Sequence, residues 1–124
     1  MKESILHFVW QFQKFHKSNL QSFDRENIEI FSVGTHNTDS GPDFLNANIR
    51  IGKITWHGHV EIHVNSSDWN NHGHQDDPSY DNVILHVVWK NDTPIKRKDG
   101  KTISTIELND KVSNDLLKRC NGLI

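Results

Sequence analysis

The sequence predicts an α/β (α+β) domain, with a mixed central sheet of four to five strands flanked by helices. Three observations lead to that class. Residues 44–51 and 54–64 alternate apolar and polar side chains and meet at a Gly52-Lys53 turn, so they read as a hairpin. Residues 82–89, NVILHVVW, are an almost continuous β-branched run, as in a central strand covered on both faces. Apolar residues recur at helical spacing near both ends of the chain.

Taken in order, a first helix is expected over 3–18. Ile5, Phe8, Val9, Phe12 and Phe15 form its apolar stripe, and Trp10, Gln11, Gln13 and Lys14 lie off the centre. A polar connection leads to a strand at Ile28, Ile30 and Phe31 that ends near Gly34. Residues 35–41, rich in Asn, Asp, Ser and Thr, read as a loop, because such side chains hydrogen-bond nearby backbone. In the hairpin, Leu45, Ala47, Ile49 and Ile51 share one face of the first strand. On the second strand His57, His59, Glu61 and His63 fall at every other position and share a face, opposite Trp56, Val60, Ile62 and Val64.

Ser66, Ser67 and Asp68 are good helix N-caps, and a short helix past Trp69 is expected to stop at Gly73. A polar loop over 75–81 precedes the 82–89 strand. A turn over 91–101, a strand over 102–108 and a helix over 110–120, with Val112, Leu116 and Leu117 inward, complete the order.

Composition narrows the class further. With 124 residues, 34% hydrophobic and 24% charged, the chain 1–124 is expected to form a single domain with one core. No apolar run approaches the roughly 20 residues of a membrane helix. The N-terminus is too polar for a signal peptide, and the lone Cys120 excludes an internal disulfide framework; a cytoplasmic location is the expectation. A net charge of −2 argues against a surface that grips nucleic acid everywhere. A local basic patch remains, at Lys96, Arg97, Lys98 and Lys101 around Gly100. A solvated hairpin tip is its plainer reading, and contact with a nucleic-acid backbone the sharper one. Nine dispersed histidines are the compositional oddity.

Chemistry concentrates on Pro42-Asp43 and, after seventeen intervening residues, Glu61-Ile62-His63. A divalent cation such as Mg²⁺ or Mn²⁺ takes hard oxygen ligands, which an aspartate at the mouth of one strand and a glutamate on its neighbour supply from rigid backbone. A group two residues past the glutamate shares its face and can orient or deprotonate an attacking water. The bound ion lowers the pKa of that water. His59, on the same face, is a further ligand candidate, and an imidazole-rich set would admit Zn²⁺.

The Gly41-Pro42-Asp43 and Glu61-Ile62-His63 motifs, with the order helix, three strands, helix, strand, resemble the PD-(D/E)xK restriction-endonuclease-like superfamily. More narrowly, GPDFLNANI, WHGHVEIHV with SSDW after it, and YDNVILHVVW resemble an uncharacterised bacterial family of unknown function. The superfamily resemblance covers roughly residues 3–90. It implies a three-layer core, metal-dependent cleavage of DNA or RNA, and support from helix-borne polar residues such as Gln11 or Gln13. Members of the narrower family are longer, which implies that residues 1–124 are the N-terminal part of a larger protein. Apolar surface left uncovered would then favour a dimer.

The sequence departs from the superfamily at its lysine, where His63 stands. Histidine, with an unperturbed pKa of about 6.5, is mostly neutral at pH 7 and serves as base or ligand rather than as a fixed cation. The substitution also fits a nuclease fold without its chemistry, acting as a module that binds a protein or nucleic-acid partner. Other histidines have plainer readings beside functional ones. His86, alone in an apolar strand, reads as a hydrogen-bonded core residue or as support for the site. His72 and His74, beside Asp76 and Asp77, read as part of a solvated loop, with closure over the site as the alternative.

Overall fold

The hairpin expected at Gly52-Lys53 forms the middle of the sheet. In a computed structural model describing residues 1–122, β3 (Phe44–Ile51) and β4 (Ile54–Asn65) pair antiparallel around Gly52, whose φ of +62° suits the tight turn. Around them lie α1 (Glu3–Gln11), β1 (Ile28–Ser32), β2 (Thr35–His36), α2 (Asp68–Asn71), β5 (Val83–Lys90), β6 (Thr105–Glu107) and α3 (Asn114–Gly122). The strand order is β1-β3-β4-β5-β6, with β2 paired to the start of β3 beyond β1. Strands β1 to β4 pair antiparallel, whereas β5 joins β4, and β6 joins β5, in parallel. The sheet is therefore mixed, as expected. It has six strands because the 35–41 segment, expected as a loop, contributes β2.

The two faces of the sheet are covered differently. Ile5, Leu6, Val9 and Trp10 of α1 share the main core with Ile49, Val60, Ile62, Leu85 and Val87, and Leu116 and Leu117 of α3 pack against it. The other face carries a smaller cluster, Trp69, Tyr80, Val83, Ile95 and Ile103. Trp69 and Tyr80 belong to the crossover that carries the chain from β4 to β5 through α2 and two 3₁₀ turns, His74–Asp76 and Pro78–Tyr80. The broad run of buried β4 residues, Val60 to His63, follows from this double cover.

Several sequence expectations are corrected here. The first helix stops at Gln11 instead of reaching residue 18: Gln13 takes a φ of +55°, and its side chain caps the Trp10 carbonyl. The helix also packs on a different centre. Trp10 is fully buried and donates from Nε1 to the Val33 carbonyl, whereas Phe8 and Phe12 stay partly exposed and touch each other. The apolar arc of α1 is wide enough for either packing, so helical spacing alone did not choose between them. The last helix begins at Asn114, which leaves buried Val112 in the preceding turn. Trp56, on the same strand face as buried Val60 and Ile62, is itself 46% exposed, because β4 meets β5 only from His59 onward.

Gly58 marks the point where β5 begins. A Cβ there would lie 2.5 Å from Ile84 Cγ2 and 2.6 Å from the Asn82 carbonyl oxygen. The oxygen is backbone and cannot swing aside. Gly58→Ala is expected to destabilise the fold by about 1–3 kcal/mol, the usual cost of forced overpacking. Urea denaturation would measure it, and an unchanged midpoint would contradict this close approach.

Candidate functional site

Asp43 and Glu61 meet through a reciprocal pair of backbone contacts. Asn37 shapes the approach: its side chain donates to the carbonyls of Ser40 and Pro42, and its backbone N–H donates to that of Asp43. This fixes the Gly41-Pro42 turn and sets Asp43 at the mouth of β3. The Asp43 N–H then donates to Glu61 Oε1 (3.1 Å), and the Ile62 N–H donates to Asp43 Oδ2 (2.8 Å). One oxygen of each carboxylate is thereby committed to backbone, and the other is left for chemistry.

The remaining oxygens face histidines from two elements. Asp43 Oδ1 lies 3.6 Å from His7 Nε2, which is 3.5 Å from Glu3 Oε1 one helical turn back on α1. His7 Nδ1 is 3.3 Å from His36 Nε2, and the His36 ring stacks on Phe44. Glu61 Oε2 lies 2.7 Å from His74 Nε2 and 3.3 Å from His63 Nε2. His63 Nδ1 is held 2.8 Å from His86 Nε2. His72 completes the group, its ring centroid 5.1 Å from that of His63. Two sets therefore bring candidate ligand atoms within 4.8 Å of one another: Glu3, His7 and Asp43, and His63, His72 and His74.

Electrostatics sharpen the arrangement. Glu61 is 3% exposed, and among the described residues no lysine or arginine forms an ion pair with it or with Asp43. Burial, reinforced by the Asp43 carboxylate, pushes the Glu61 carboxyl up to about 10. Burial holds His63 down at about 4, lowers His86 well below its usual value, and with His72 beside it lowers His74. These imidazoles are neutral, the form that ligates metals. His7 moves the other way. Burial alone would lower it, but the Glu3 and Asp43 carboxylates raise it. His7 Nε2 is enclosed without a hydrogen-bond partner among the described residues, and its spacing of about 3.5 Å from both carboxylates resembles that of donors around one ion.

The sequence candidates separate accordingly. Asp43, Glu61, His63 and His86 come together. His63 is 1% exposed and gripped by His86, which makes it an orienting group or ligand rather than a solvent-facing base. His59 does not join the cluster. A bulge in β3, where Asn46 adopts a φ of +59°, presents the Asn46 N–H to His59 Nδ1 at 3.2 Å. His57 lies on the exposed opening of β4. Gln11 is exposed and stands one helical turn beyond His7, at the end of α1.

Among the basic residues, Arg97 is taken up structurally, its guanidinium donating to the carbonyls of Asp81 and Val83. Lys96 and Lys98 are exposed, Lys98 lying 3.8 Å from Asp81. With Trp69, His74 and Tyr80 they line a cleft of about 220 Å³, whose wall also carries Asp81 and Asp99.

Four residues that sequence reasoning set aside or missed are part of the cluster: Glu3, His7, His72 and His74. The Glu3–His7 pair was visible as a polar i, i+4 stripe beside the apolar arc of α1. The His72-Gly73-His74 motif was visible as a motif, but its position over the sheet depends on the path of the crossover.

The fold and site together define a mixed α+β domain whose sheet carries a buried carboxylate–histidine cluster. The chain belongs to the family described as "protein of unknown function (DUF2851)", whose model matches residues 3–124. No curated protein and no solved structure matches it. Among the described residues, no helix is long and apolar enough to cross a membrane.

Glu61→Gln tests the electrostatic account. The raised carboxyl pKa means that the folded state holds a proton the unfolded chain releases above about 4.5. Stability from this group is therefore greatest below that pH and declines as pH rises toward about 10. Glutamine keeps an acceptor for the Asp43 N–H and a donor for His74 and does not titrate. In chelator-treated protein, Glu61→Gln is expected to raise the urea midpoint more at pH 8 than at pH 5. A lowered midpoint at pH 8 would show that the charged carboxylate stabilises the fold.

Proposed function

We propose that the chain carries a metal-dependent phosphodiesterase centre of the PD-(D/E)xK kind, acting on DNA or RNA, with His63 where that superfamily has lysine. The observation that carries this reading is the pair of carboxyl groups, Asp43 and Glu61, held together on adjacent strands and, among the described residues, in ion-pair distance of histidines but of no lysine or arginine. Two adjacent carboxyl groups cannot both ionise cheaply here, and an ion that binds them favours the charged form of both.

Glu3, His7 and Asp43 would hold the hydrolytic metal, with Glu61 alongside. Their two carboxylates and one imidazole suit Mn²⁺ better than Mg²⁺. Once bound, such an ion lowers the pKa of a coordinated water and stabilises charge on a phosphate oxygen. The protein's part is positioning. Asn37 fixes the turn that aims Asp43, the Ile62 N–H holds Oδ2 so that Oδ1 faces His7, and His63 together with His74 orients Glu61. Lys96 and Lys98, on the cleft beside His74, supply positive charge where a nucleic-acid backbone can run. The mixed sheet, with α1 on one face and the β4–β5 crossover on the other, is compatible with the layered restriction-endonuclease-like core.

The test is nicking of supercoiled DNA and cleavage of single-stranded DNA and RNA, each with Mn²⁺. Asp43→Asn retains the acceptor for Ile62 but loses the charge. It is expected to lower any cleavage rate by about 100-fold or more, as for a lost electrostatic contact to the transition state, and His7→Ala by a similar factor. Cleavage unchanged in Asp43→Asn would remove the metal role from this pair. Binding of nucleic acid without cleavage by the wild type would favour the module reading, in which the fold is kept and the chemistry lost.

A further inference from the structure

We infer that His63, His72, His74 and Glu61 form a second, zinc-type metal site that fastens the β4–β5 crossover to the sheet. This site goes beyond the phosphodiesterase reading: it shares Glu61 with that centre but rests on different histidines and a different ion.

The ligand set is the first argument. Three imidazole nitrogens lie within 4.8 Å of one another, and Glu61 Oε2 is 3.3 Å from His63 Nε2 and 2.7 Å from His74 Nε2. Four donors at about 2.0–2.1 Å in a tetrahedron stand about 3.3 Å apart, so the His63–Glu61 spacing already matches. The 2.7 Å contact is a hydrogen bond, and it opens slightly when an ion takes the place of its proton. Three imidazoles and one carboxylate select a borderline transition ion over Mg²⁺.

The second argument is that three of the four ligands are already fixed. His63 is oriented by His86: Nδ1 is held 2.8 Å from His86 Nε2, while Nε2 lies 3.3 Å from Glu61 Oε2, so the ring nitrogen on the site side is separate from the one held by an outer partner. His74 stacks on Tyr80 with centroids 3.8 Å apart and meets Trp69 edge-on. Glu61 is anchored by the Asp43 N–H. His72 is the exposed fourth member. Gly73, at a φ of +73°, turns the chain so that His72 and His74 approach the same point, with ring centroids 5.6 Å apart.

The third argument is what the ion would join. His63 and Glu61 lie on β4, whereas His72 and His74 lie on the crossover, whose own core is the small cluster around Trp69 and Tyr80. Glu61 touches two of the three clustered imidazoles, and drawn in beside His72 it would supply the fourth protein donor and close the site, as in structural zinc sites. It would order the wall of the cleft that Lys96 and Lys98 share with His74.

The experiment is titration of chelator-treated protein with Zn²⁺ and with Co²⁺, whose visible absorption is intense in four-coordinate sites and faint in six-coordinate ones. Wild type is expected to take up Zn²⁺ and to show the intense Co²⁺ bands. His72→Ala leaves the folded core untouched because His72 is exposed. It and His74→Ala are each expected to lose the bands and weaken Zn²⁺ binding by about 100-fold or more, beyond the loss typical of an outer-shell partner. Asp43→Asn is expected to keep the bands, so this site and the hydrolytic centre fail separately. Wild type without Zn²⁺ uptake, or bands unchanged in His72→Ala, would overturn the assignment.

Discussion

Two carboxylates exchange backbone hydrogen bonds across adjacent strands, and the arrangement of the site depends on that exchange. The Asp43 N–H donates to Glu61, and the Ile62 N–H donates to Asp43. Each carboxylate therefore has one oxygen fixed and one free. The free oxygens face different neighbours: Oδ1 of Asp43 faces α1, and Oε2 of Glu61 faces the crossover. A hairpin with parallel β5 on its flank is what allows this. The antiparallel pair places the β3 entrance beside the middle of β4, and the parallel neighbour requires a long crossover, which returns over the sheet carrying His72 and His74.

The arrangement is costly to the fold. A carboxyl group buried to 3% exposure beside a second carboxylate, with no lysine or arginine against it among the described residues, disfavours the charged state. The surrounding imidazoles are likewise held neutral by burial. His86 extends the cost inward, since its ring is fully buried and Nδ1 has no partner among the described residues. Buried polar groups in such numbers are unusual in a core that otherwise packs Ile, Leu and Val on both sides of β5. In the proposed reading, metal ions would offset the costs at Asp43, Glu61 and His63 and leave that of His86 to the fold.

Much of this was legible in the sequence, for reasons that are local. The period of two along 54–64 put Glu61 and His63 on one face, and the Gly-Pro turn put Asp43 at a strand mouth. The β-branched run at 82–89 announced a strand covered on both sides. What was not legible depended on tertiary placement. His59 obeys the same parity as Glu61, but the bulge at Asn46 gives it a backbone N–H instead of a place at the site. Arg97 reads as a surface cation until its carbonyl partners on Asp81 and Val83 are known. Glu3 and His7 were hidden because α1 could have packed on Phe8 and Phe12, and only burial of Trp10 turns His7 toward Asp43.

The central claim is that the free oxygens of Asp43 and Glu61 are metal ligands. Anomalous X-ray scattering from crystals grown with Mn²⁺ and Zn²⁺ tests it most directly. The account predicts a Mn²⁺ peak about 2.0–2.3 Å from Asp43 Oδ1 and a Zn²⁺ peak about 2.0–2.2 Å from Glu61 Oε2, at ordinary metal–oxygen distances. Crystals with neither peak, in which Glu61 keeps its hydrogen bond to His74, would contradict it.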